Sequence, residues 1–279
     1  MSADEPDRDA GLTYEQGRAV TELATVVLAA NPSPMTLDGT NTWVLRAAGS
    51  TRSIVVDPGP DDVAHLDAVR EVADDVAVIL LTHGHIDHSE GARRLHDLTG
   101  AAVRALDPKH QFGDEGLAEG DVLADAGVEV RVWATPGHSS DSLSFLLAGP
   151  GEDAAAVLTG DTILGRGTTV VAYPDGDLAD YLASLRRLRE LGELTVLPGH
   201  GPELPQAGAV AQAYLAHREQ RLDQVRSAVA ELGLHAAPRA VVERVYTDVD
   251  QVLWPAADLS VAAQLAYLRT EQPDGAGER

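Results

Sequence analysis

The chain has 279 residues, of which 44% are hydrophobic and 23% are charged, as in ordinary globular proteins. Its net charge of -23, from 21 basic and 44 acidic residues, repels phosphate backbones and acidic membranes and argues against avid nucleic-acid binding. There is no cysteine, so disulfides and thiolate metal ligands are excluded, and any metal site must use histidine and carboxylate. The polar, acidic N-terminus is unlike a signal peptide and no apolar run is long enough to cross a membrane, so a cytoplasmic location is expected.

Short β-type runs alternate with amphipathic helices in the first half of the chain. Residues 1–12 are polar and are expected to form a disordered tail. Strands are predicted over 21–28, 42–45, 53–56, 76–81 and 101–106, and helices over 61–72 and 90–98. The strand at 53–56 ends at Asp57, where a following Pro-Gly pair begins a turn.

The second half repeats this pattern before its composition changes. Strands are predicted over 128–133, 143–147, 154–159 and 194–197, a loop with short extended pieces over 111–127, and a helix over 178–188 that Asp177 can cap. Strands with interspersed helices in both halves predict an α+β fold with two sheets between helices. Beyond Pro205 the patterns are helical, at 210–232, 238–246 and 255–268, so we predict a core domain over 13–204 and a small helical domain over 205–279.

Three histidines and an aspartate fall within six positions directly after the strand at 76–81. Imidazoles gathered in this way are costly for an apolar core but suit a bound cation. Three more histidine or aspartate residues follow later β-type runs, and the ends of neighbouring strands converge on one edge of a sheet. The candidate metal ligands are His83, His85, Asp87, His88, His138, Asp161 and His200.

The order and spacing of these residues resemble a known family. The block His-x-His-x-Asp-His at 83–88, followed by the blocks of His138, Asp161 and His200, resembles the five-motif pattern of the metallo-β-lactamase superfamily, with Asp57 matching the first motif. The resemblance covers about residues 20–202 and implies a four-layer αββα sandwich with two metal ions at one sheet edge.

The resemblance also implies a role for each ligand. The first ion would be held by His83, His85 and His138, and the second by Asp87, His88 and His200, with Asp161 bridging the two. Asp57 would lie behind the ligands and hold the histidine loop through hydrogen bonds. Imidazole and carboxylate suit zinc, and manganese and iron also accept them.

Two such cations, about 3.5 to 4 Å apart, lower the pKa of a shared water towards about 7 and give hydroxide that attacks a carbonyl carbon or a phosphorus. The resemblance implies that Asp87 orients this hydroxide and relays a proton, so Asp87 and Asp161 are the candidate catalytic residues. Thr40 and Asn41 are candidates for the substrate-binding mouth of the site, with turn formation as the alternative. Tyr173 is a candidate pocket wall.

Three further segments narrow the resemblance to the lactamase-beta-2-like branch. They are residues 31–42, residues 135–142 and the His-Arg-Glu-Gln-Arg sequence at 217–221. The branch includes a single-strand endoribonuclease and relatives that cleave acyl-carrier thioesters, and it appends a small winged-helix-like domain at the C-terminus. From residue 203 onward there are 7 basic and 11 acidic side chains, so this domain is not expected to bind duplex DNA.

Three functions are therefore compatible with the sequence. The first is a dinuclear zinc hydrolase that cleaves an ester, thioester or amide-like small substrate, free or on an acyl carrier. The second is a metal-dependent endoribonuclease for single-stranded RNA, and the third is a metal-stabilised binding module without turnover. Three histidines on one ion leave an open coordination position, which favours an enzyme. The sequence does not predict the oligomeric state.

Overall fold

Two β-sheets form the centre of the protein in a computed structural model that describes residues 12–247 and 249–271. The strands are β1 (Gly17–Ala19), β2 (Ala24–Leu28), β3 (Asn41–Leu45), β4 (Arg52–Val56), β5 (Asp75–Leu80), β6 (Ala102–Arg104), β7 (Val122–Asp125), β8 (Val128–Ala134), β9 (Leu143–Ala148), β10 (Ala156–Gly160) and β11 (Thr195–Pro198). The helices are α1 (Val63–Ala73), α2 (Ile86–Ser89), α3 (Ala92–Thr99), α4 (Leu178–Arg189), α5 (Ala207–Leu232), α6 (Pro238–Val245) and α7 (Trp254–Glu271). Short 3-10 turns cover Pro108–His110 and Gln251–Leu253.

Each sheet contains antiparallel strands and parallel neighbours. The first sheet has the order β1-β2-β3-β4-β5-β6, antiparallel from β1 to β4 and parallel from β4 to β6. The second has the order β11-β10-β9-β8-β7, in which only β10 and β11 are parallel. Parallel strands that are neighbours end at the same edge, so the loops after β4, β5, β10 and β11 can meet there.

The core has three layers of packed side chains, which define the αββα order. Between the sheets, Trp43 and Val56 of the first sheet pack in one cluster with Phe145 and Leu158 of the second. The outer face of the first sheet is covered by α1 and α3. The outer face of the second sheet is covered by α4 and α5. The predicted four-layer sandwich is confirmed.

Capping residues lie at the ends of three helices, and the predicted cap at Asp177 is confirmed. The side chain of Asp62 accepts a hydrogen bond from His65 N at 2.9 Å at the start of α1. The side chain of Asp177 accepts one from Asp180 N at 3.0 Å at the start of α4. Gly100 ends α3 with a left-handed φ of 74°, a conformation that costs glycine little.

Of three short elements, β1 and α2 were not predicted, and β7 was predicted only as an extended piece of a loop. Strand β1 is exposed and pairs only along an edge, so it has no alternation of buried and exposed residues. Strand β7 is one of the short extended pieces predicted within the loop at 111–127, and it pairs with β8. Helix α2 is a single turn of polar residues, too short to show helical periodicity.

The C-terminal region consists of the helices α5, α6 and α7. They share one hydrophobic cluster with α4 and the outer face of the second sheet, through residues such as Tyr181, Leu222 and Val261. Within the part of the chain that the structure describes, no strand follows β11, so the helical character is confirmed and the wing stays a prediction. The predicted N-terminal tail up to residue 11 and residues 272–279 lie outside the described residues, and the domain boundary at 205 stays a prediction.

None of the helices within 12–247 and 249–271 has the length and apolar character needed to cross a membrane.

Candidate metal centre

The candidate ligands lie on loops that follow strands at one edge of the two sheets. His83 and His85 follow β5, and α2 carries Asp87 and His88. The other three ligands, listed by strand, are His138 after β8, Asp161 after β10 and His200 after β11. Two backbone hydrogen bonds join the sheets at this edge, from Asn41 N to Gly199 O at 2.8 Å and from Leu143 N to Thr82 O at 2.7 Å.

One group of three imidazoles lies on the His138 side of the site. His85 Nδ1 is 3.0 Å from His83 Nε2 and 3.0 Å from His138 Nε2. The ligand atoms of these three residues all lie within 4.8 Å of one another. This is the set that the resemblance implies for the first ion.

A second group contains Asp87, His88 and His200. His200 Nε2 is 3.1 Å from Asp87 Oδ2 and 3.1 Å from His88 Nε2. Asp161 lies between the two groups, because its Oδ2 is 3.5 Å from His200 Nε2 and 3.8 Å from His138 Nε2. The structure thus brings all seven candidate ligands into one small volume.

Backbone carbonyls orient two of the imidazoles from behind. His138 Nδ1 donates to Val170 O at 2.8 Å, and His200 Nδ1 donates to Gly39 O at 3.1 Å. A carbonyl can only accept, so we assign the proton of each neutral ring to Nδ1. The Nε2 lone pairs of His138 and His200 therefore point into the site.

Side chains orient two more imidazoles in the same way. His88 Nδ1 donates to Asp57 Oδ2 at 2.9 Å. Thr82 Oγ1 uses its one proton on Asp57 Oδ2 at 2.6 Å, so it accepts from His83 Nδ1 at 3.0 Å. The Nε2 atoms of His83 and His88 also present lone pairs to the site.

These assignments leave lone pairs facing lone pairs. The Nε2 atoms of His88 and His200 are 3.1 Å apart, and neither neutral ring has a proton to place between them. Asp161 Oδ1 is a buried oxygen with no hydrogen-bond partner in the described part of the chain. The site therefore requires positive charge, either protons or metal ions, and its nitrogen and carboxylate donors fit a divalent transition metal.

The charges of the site shift the pKa values accordingly. Burial lowers the pKa of His83 well below its usual range, and the imidazoles of His88 and His138 lower it further. Burial would also lower the pKa of His200, but Asp161 and Asp87 outweigh it and raise this pKa to about 9. For Asp161, burial acts to raise the pKa, but His200 and His88 hold it well below its usual range. The carboxylates that favour a proton on His200 would equally stabilise a bound cation.

Asp57 anchors the histidine loop from behind the ligands. Its Oδ1 accepts from Thr82 N at 2.7 Å, and its Oδ2 accepts from Thr82 Oγ1 and His88 Nδ1. Its backbone has a left-handed φ of 51°, which is uncommon outside glycine and is tolerated best by Asn and Asp. Thr42 Oγ1 donates to the carbonyl of Asp57 at 2.7 Å and so supports this turn.

The three candidate substrate residues differ in exposure. Thr40 and Asn41 are buried, and the amide of Asn41 donates to Pro198 O at 3.0 Å and to Gly201 O at 2.8 Å. Asn41 therefore holds the loop that carries His200. Tyr173 is 49% exposed. Contact of these three residues with substrate stays a prediction.

Several supporting residues were not identified from the sequence. Thr82 could have been found, because it directly precedes the histidine block and its side chain joins Asp57 to His83. Thr169 Oγ1 lies 3.0 Å from His138 Nδ1, and Arg218 donates to Thr169 O. Nothing in the sequence places residue 169 beside residue 138, so this support depends on the tertiary fold.

A Gly199→Ala substitution is expected to reduce bound metal and activity. A Cβ atom at this position would lie 2.6 Å from Asp161 Oδ1 and 2.7 Å from His88 Cε1, so one of these ligands must move. We expect a loss of about 10-fold to 100-fold in metal affinity, as when an outer-shell partner is removed. Metal content by atomic emission at limiting zinc measures the effect, and full occupancy with unchanged kcat/KM would contradict it.

The comparisons with known proteins agree with this geometry. The family model for the metallo-beta-lactamase superfamily matches residues 35–200. The chain therefore belongs to the metallo-β-lactamase superfamily.

Similar proteins extend the match beyond the family core. A protein named beta-lactamase-like protein 2 homolog from Drosophila melanogaster is 32% identical over 279 residues, covering 91% of this chain and 91% of the relative. An atrochrysone carboxyl ACP thioesterase from Aspergillus fumigatus is 34% identical over 215 residues, covering 74% of this chain and 64% of the relative. The crystal structure of a metallo-beta-lactamase family protein from Thermus thermophilus has a TM-score of 0.75 at 22% identity, covering 93% of this chain and 97% of that chain.

The predicted family and the prediction that the protein is an enzyme are confirmed. Family and relatives together identify a metal-dependent hydrolase, and its histidine and aspartate groups could hold a metal ion.

Proposed function

We propose that the protein is a dinuclear zinc hydrolase that cleaves a thioester, ester or amide-like bond in a small or carrier-linked acyl substrate. The observation that carries the proposal is the position of Asp161, which lies within 4 Å of imidazoles from both ligand groups. In this proposal His83, His85 and His138 would hold one ion, and Asp87, His88 and His200 would hold the other. Asp161 would contribute its carboxylate to both.

Two ions in these positions would supply a water with a pKa near 7 and polarise the bond to be cleaved. The side chains orient the ligand atoms and handle the proton. The hydrogen bonds behind the imidazoles hold the Nε2 atoms of His83, His88, His138 and His200 in fixed directions, so little reorganisation is needed during the reaction. Manganese and iron are the competing metals for the same donors.

Asp87 is the proposed residue that orients the attacking water and holds its proton. Burial acts to raise the pKa of Asp87, but the hydrogen bond to His200 and the nearby imidazoles lower it, so the carboxylate is ionised near neutral pH. Its side chain is 26% exposed, whereas that of Asp161 is 10% exposed, so Asp87 can pass a proton to solvent. Asp161, in contrast, is enclosed among the ligands.

A thioester is the preferred substrate in this proposal. The Aspergillus relative is named as an acyl-carrier-protein thioesterase, and the match covers 74% of this chain. The net charge of -23 disfavours a polyanionic substrate such as RNA. An acyl group on a small thiol or a carrier arm needs only a cleft beside the metal centre.

A parallel turnover assay is expected to identify the substrate class. Zinc-loaded protein is tested on acyl thioesters, lactones, a β-lactam and single-stranded RNA, and we expect the highest kcat/KM for a thioester. Chelation should abolish this turnover and added zinc should restore it. A higher kcat/KM for another class would contradict the thioesterase proposal.

Cleavage of single-stranded RNA is the second candidate function, because the chain resembles the branch that includes such an endoribonuclease. This function predicts cleavage that weakens steeply as salt rises, since phosphate contacts release counterions. The absence of cleavage at low salt by fully metallated protein would exclude it.

A further inference from the structure

A cavity of about 260 Å³ lies between the C-terminal helices and the segment at 168–170. Its walls include Thr169 and Val170 on one side and His217, Arg218 and Arg221 of α5 on the other. The same Thr169 and Val170 contact Nδ1 of the ligand His138, at 3.0 and 2.8 Å. The cavity is therefore separated from the metal centre by a single segment of chain.

The two arginines of this cavity have no acidic partner in the part of the chain that the structure describes. Arg218 donates to the carbonyl of Thr169, and Arg221 Nη1 donates to Val245 O at 3.3 Å. Both guanidiniums also lie over tyrosine rings. In a chain with 44 acidic and 21 basic residues, two neighbouring arginines without a carboxylate partner among the described residues are unusual.

Two nitrogen atoms of the cavity residues lack a hydrogen-bond partner among the described residues. They are Nε of Arg218 and Nδ1 of His217, and both are buried. Arg218 is only 7% exposed, so its unpaired N–H costs free energy unless a ligand accepts its hydrogen bond. Burial, followed by the charges of Arg218 and Arg221, lowers the pKa of His217, so this imidazole lies close to both guanidiniums.

We propose that this cavity is a subsite for an oxyanion, a carboxylate or phosphate group carried by the substrate and held by His217, Arg218 and Arg221. Guanidinium groups suit such anions because they offer several N–H donors in a fixed plane. The lining also includes the apolar side chains of Val249 and Leu253, which suit the carbon chain next to the anion. The proposal deepens and rests on the proposed function, since the substrate would have to extend from this cavity around the segment at 168–170 to the metal centre.

Anion binding tests the subsite without any turnover. Zinc-loaded protein is titrated calorimetrically with inorganic phosphate and, separately, with acetate. Arg221→Gln should weaken binding of at least one of them about 10-fold or more, as expected for a lost hydrogen bond to a charged group. The anion whose affinity falls identifies the group that the subsite prefers. Binding of either anion to the metal ions is expected in all variants alike, so it does not contribute to the difference between them.

Arg244→Gln is the matched control. Arg244 lies on α6, is paired with Glu231 and is exposed, so its removal changes the net charge equally without touching the cavity. Arg218 is not substituted, because it also supports Thr169 behind His138. His217→Gln provides a second test, because it removes the imidazole and keeps a polar side chain. This variant replaces Arg221→Gln if circular dichroism shows that Arg221→Gln does not fold. Unchanged affinity for both anions in the folded variant, or an equal loss in Arg244→Gln, would overturn the proposal.

A comparison of two thioester substrates tests whether the subsite contributes to catalysis. The ratio of kcat/KM for a succinyl thioester to that for a butyryl thioester should fall about 10-fold in Arg221→Gln, because only the succinyl group carries a carboxylate. An unchanged ratio would count against the subsite. Anion binding that depends on Arg221 in a protein without thioester turnover would support the subsite and contradict only the thioesterase proposal.

Discussion

Asp161→Ala is expected to remove metal and activity together, with a loss of kcat/KM of more than about 100-fold, the upper end for removal of an outer-shell partner. Asp161 is the one carboxylate within 4 Å of His88, His138 and His200 among the described residues. Its removal takes a negative charge from the centre of the imidazole cluster, so bound cations lose compensation on both sides. Metal content per chain and kcat/KM on the best substrate are measured on the same preparation.

Asp97→Ala is the control for this variant. Asp97 lies on α3, is exposed and pairs only with Arg93 among the described residues, so its loss changes the net charge equally. We expect two metals per chain and unchanged kcat/KM for the control. Full metal content and full activity in Asp161→Ala would contradict both its place as a ligand and the dinuclear proposal.

The strands were predictable wherever burial imposes a pattern. The run that became β5 is apolar because both faces of that strand are covered, by α1 and α3 on one side and by the second sheet on the other. The one-turn helix α2 was not predictable, because four residues are too few to carry a period. Its backbone follows instead from the contacts of His88 with Asp57 and His200.

The candidate site was predictable to the extent that its residues are close in sequence. His83, His85 and His88 are brought together by one loop, so their spacing alone indicates a cation site. The contact between His88 and His200 spans 112 residues and depends on how the two sheets meet at Asn41 and Gly199. Long-range register of this kind has no local signal, and here only resemblance to a family could pair the two residues.

The supports behind the imidazoles are still less visible in sequence. Three of the four assigned imidazoles donate to groups that are not specific to one residue type. Val170 and Gly39 contribute backbone carbonyls, which every residue has, and Thr82 contributes a hydroxyl, which serine also has. His65, which lies outside the histidine motifs, is buried and bonded to Glu15 and Thr42. Through Thr42 it touches the turn at Asp57, so its burial contributes to the site without placing it among the ligands.

Asp57→Asn is expected to lower bound metal from two ions per chain towards one. Asp57 accepts three hydrogen bonds, from Thr82 N, Thr82 Oγ1 and His88 Nδ1. With its oxygen towards Thr82 N, an asparagine turns its NH2 group towards His88 Nδ1, which must then give up its proton to Nε2. His88 loses the lone pair that faces the site. Thr82 Oγ1 then meets the NH2 group instead of a carboxylate oxygen, but its two lone pairs let it accept from both that group and His83 Nδ1, so the proton of His83 stays on Nδ1. Asparagine also tolerates the left-handed φ of 51°, so the backbone of the turn should be kept.

The expected loss is about 10-fold to 100-fold in kcat/KM, as for removal of other hydrogen-bond partners of metal ligands. Asp177→Asn is the matched control, because it removes the same charge at the start of α4 and asparagine caps a helix as well as aspartate does. Titration of each metal-depleted variant with zinc, followed by calorimetry, counts the ions and their affinities. Two tight ions and unchanged kcat/KM in Asp57→Asn would show that the tautomer of His88 does not depend on Asp57. Loss of both ions would instead show that Asp57 holds the whole histidine loop, because it bonds His88 directly and reaches His83 through Thr82.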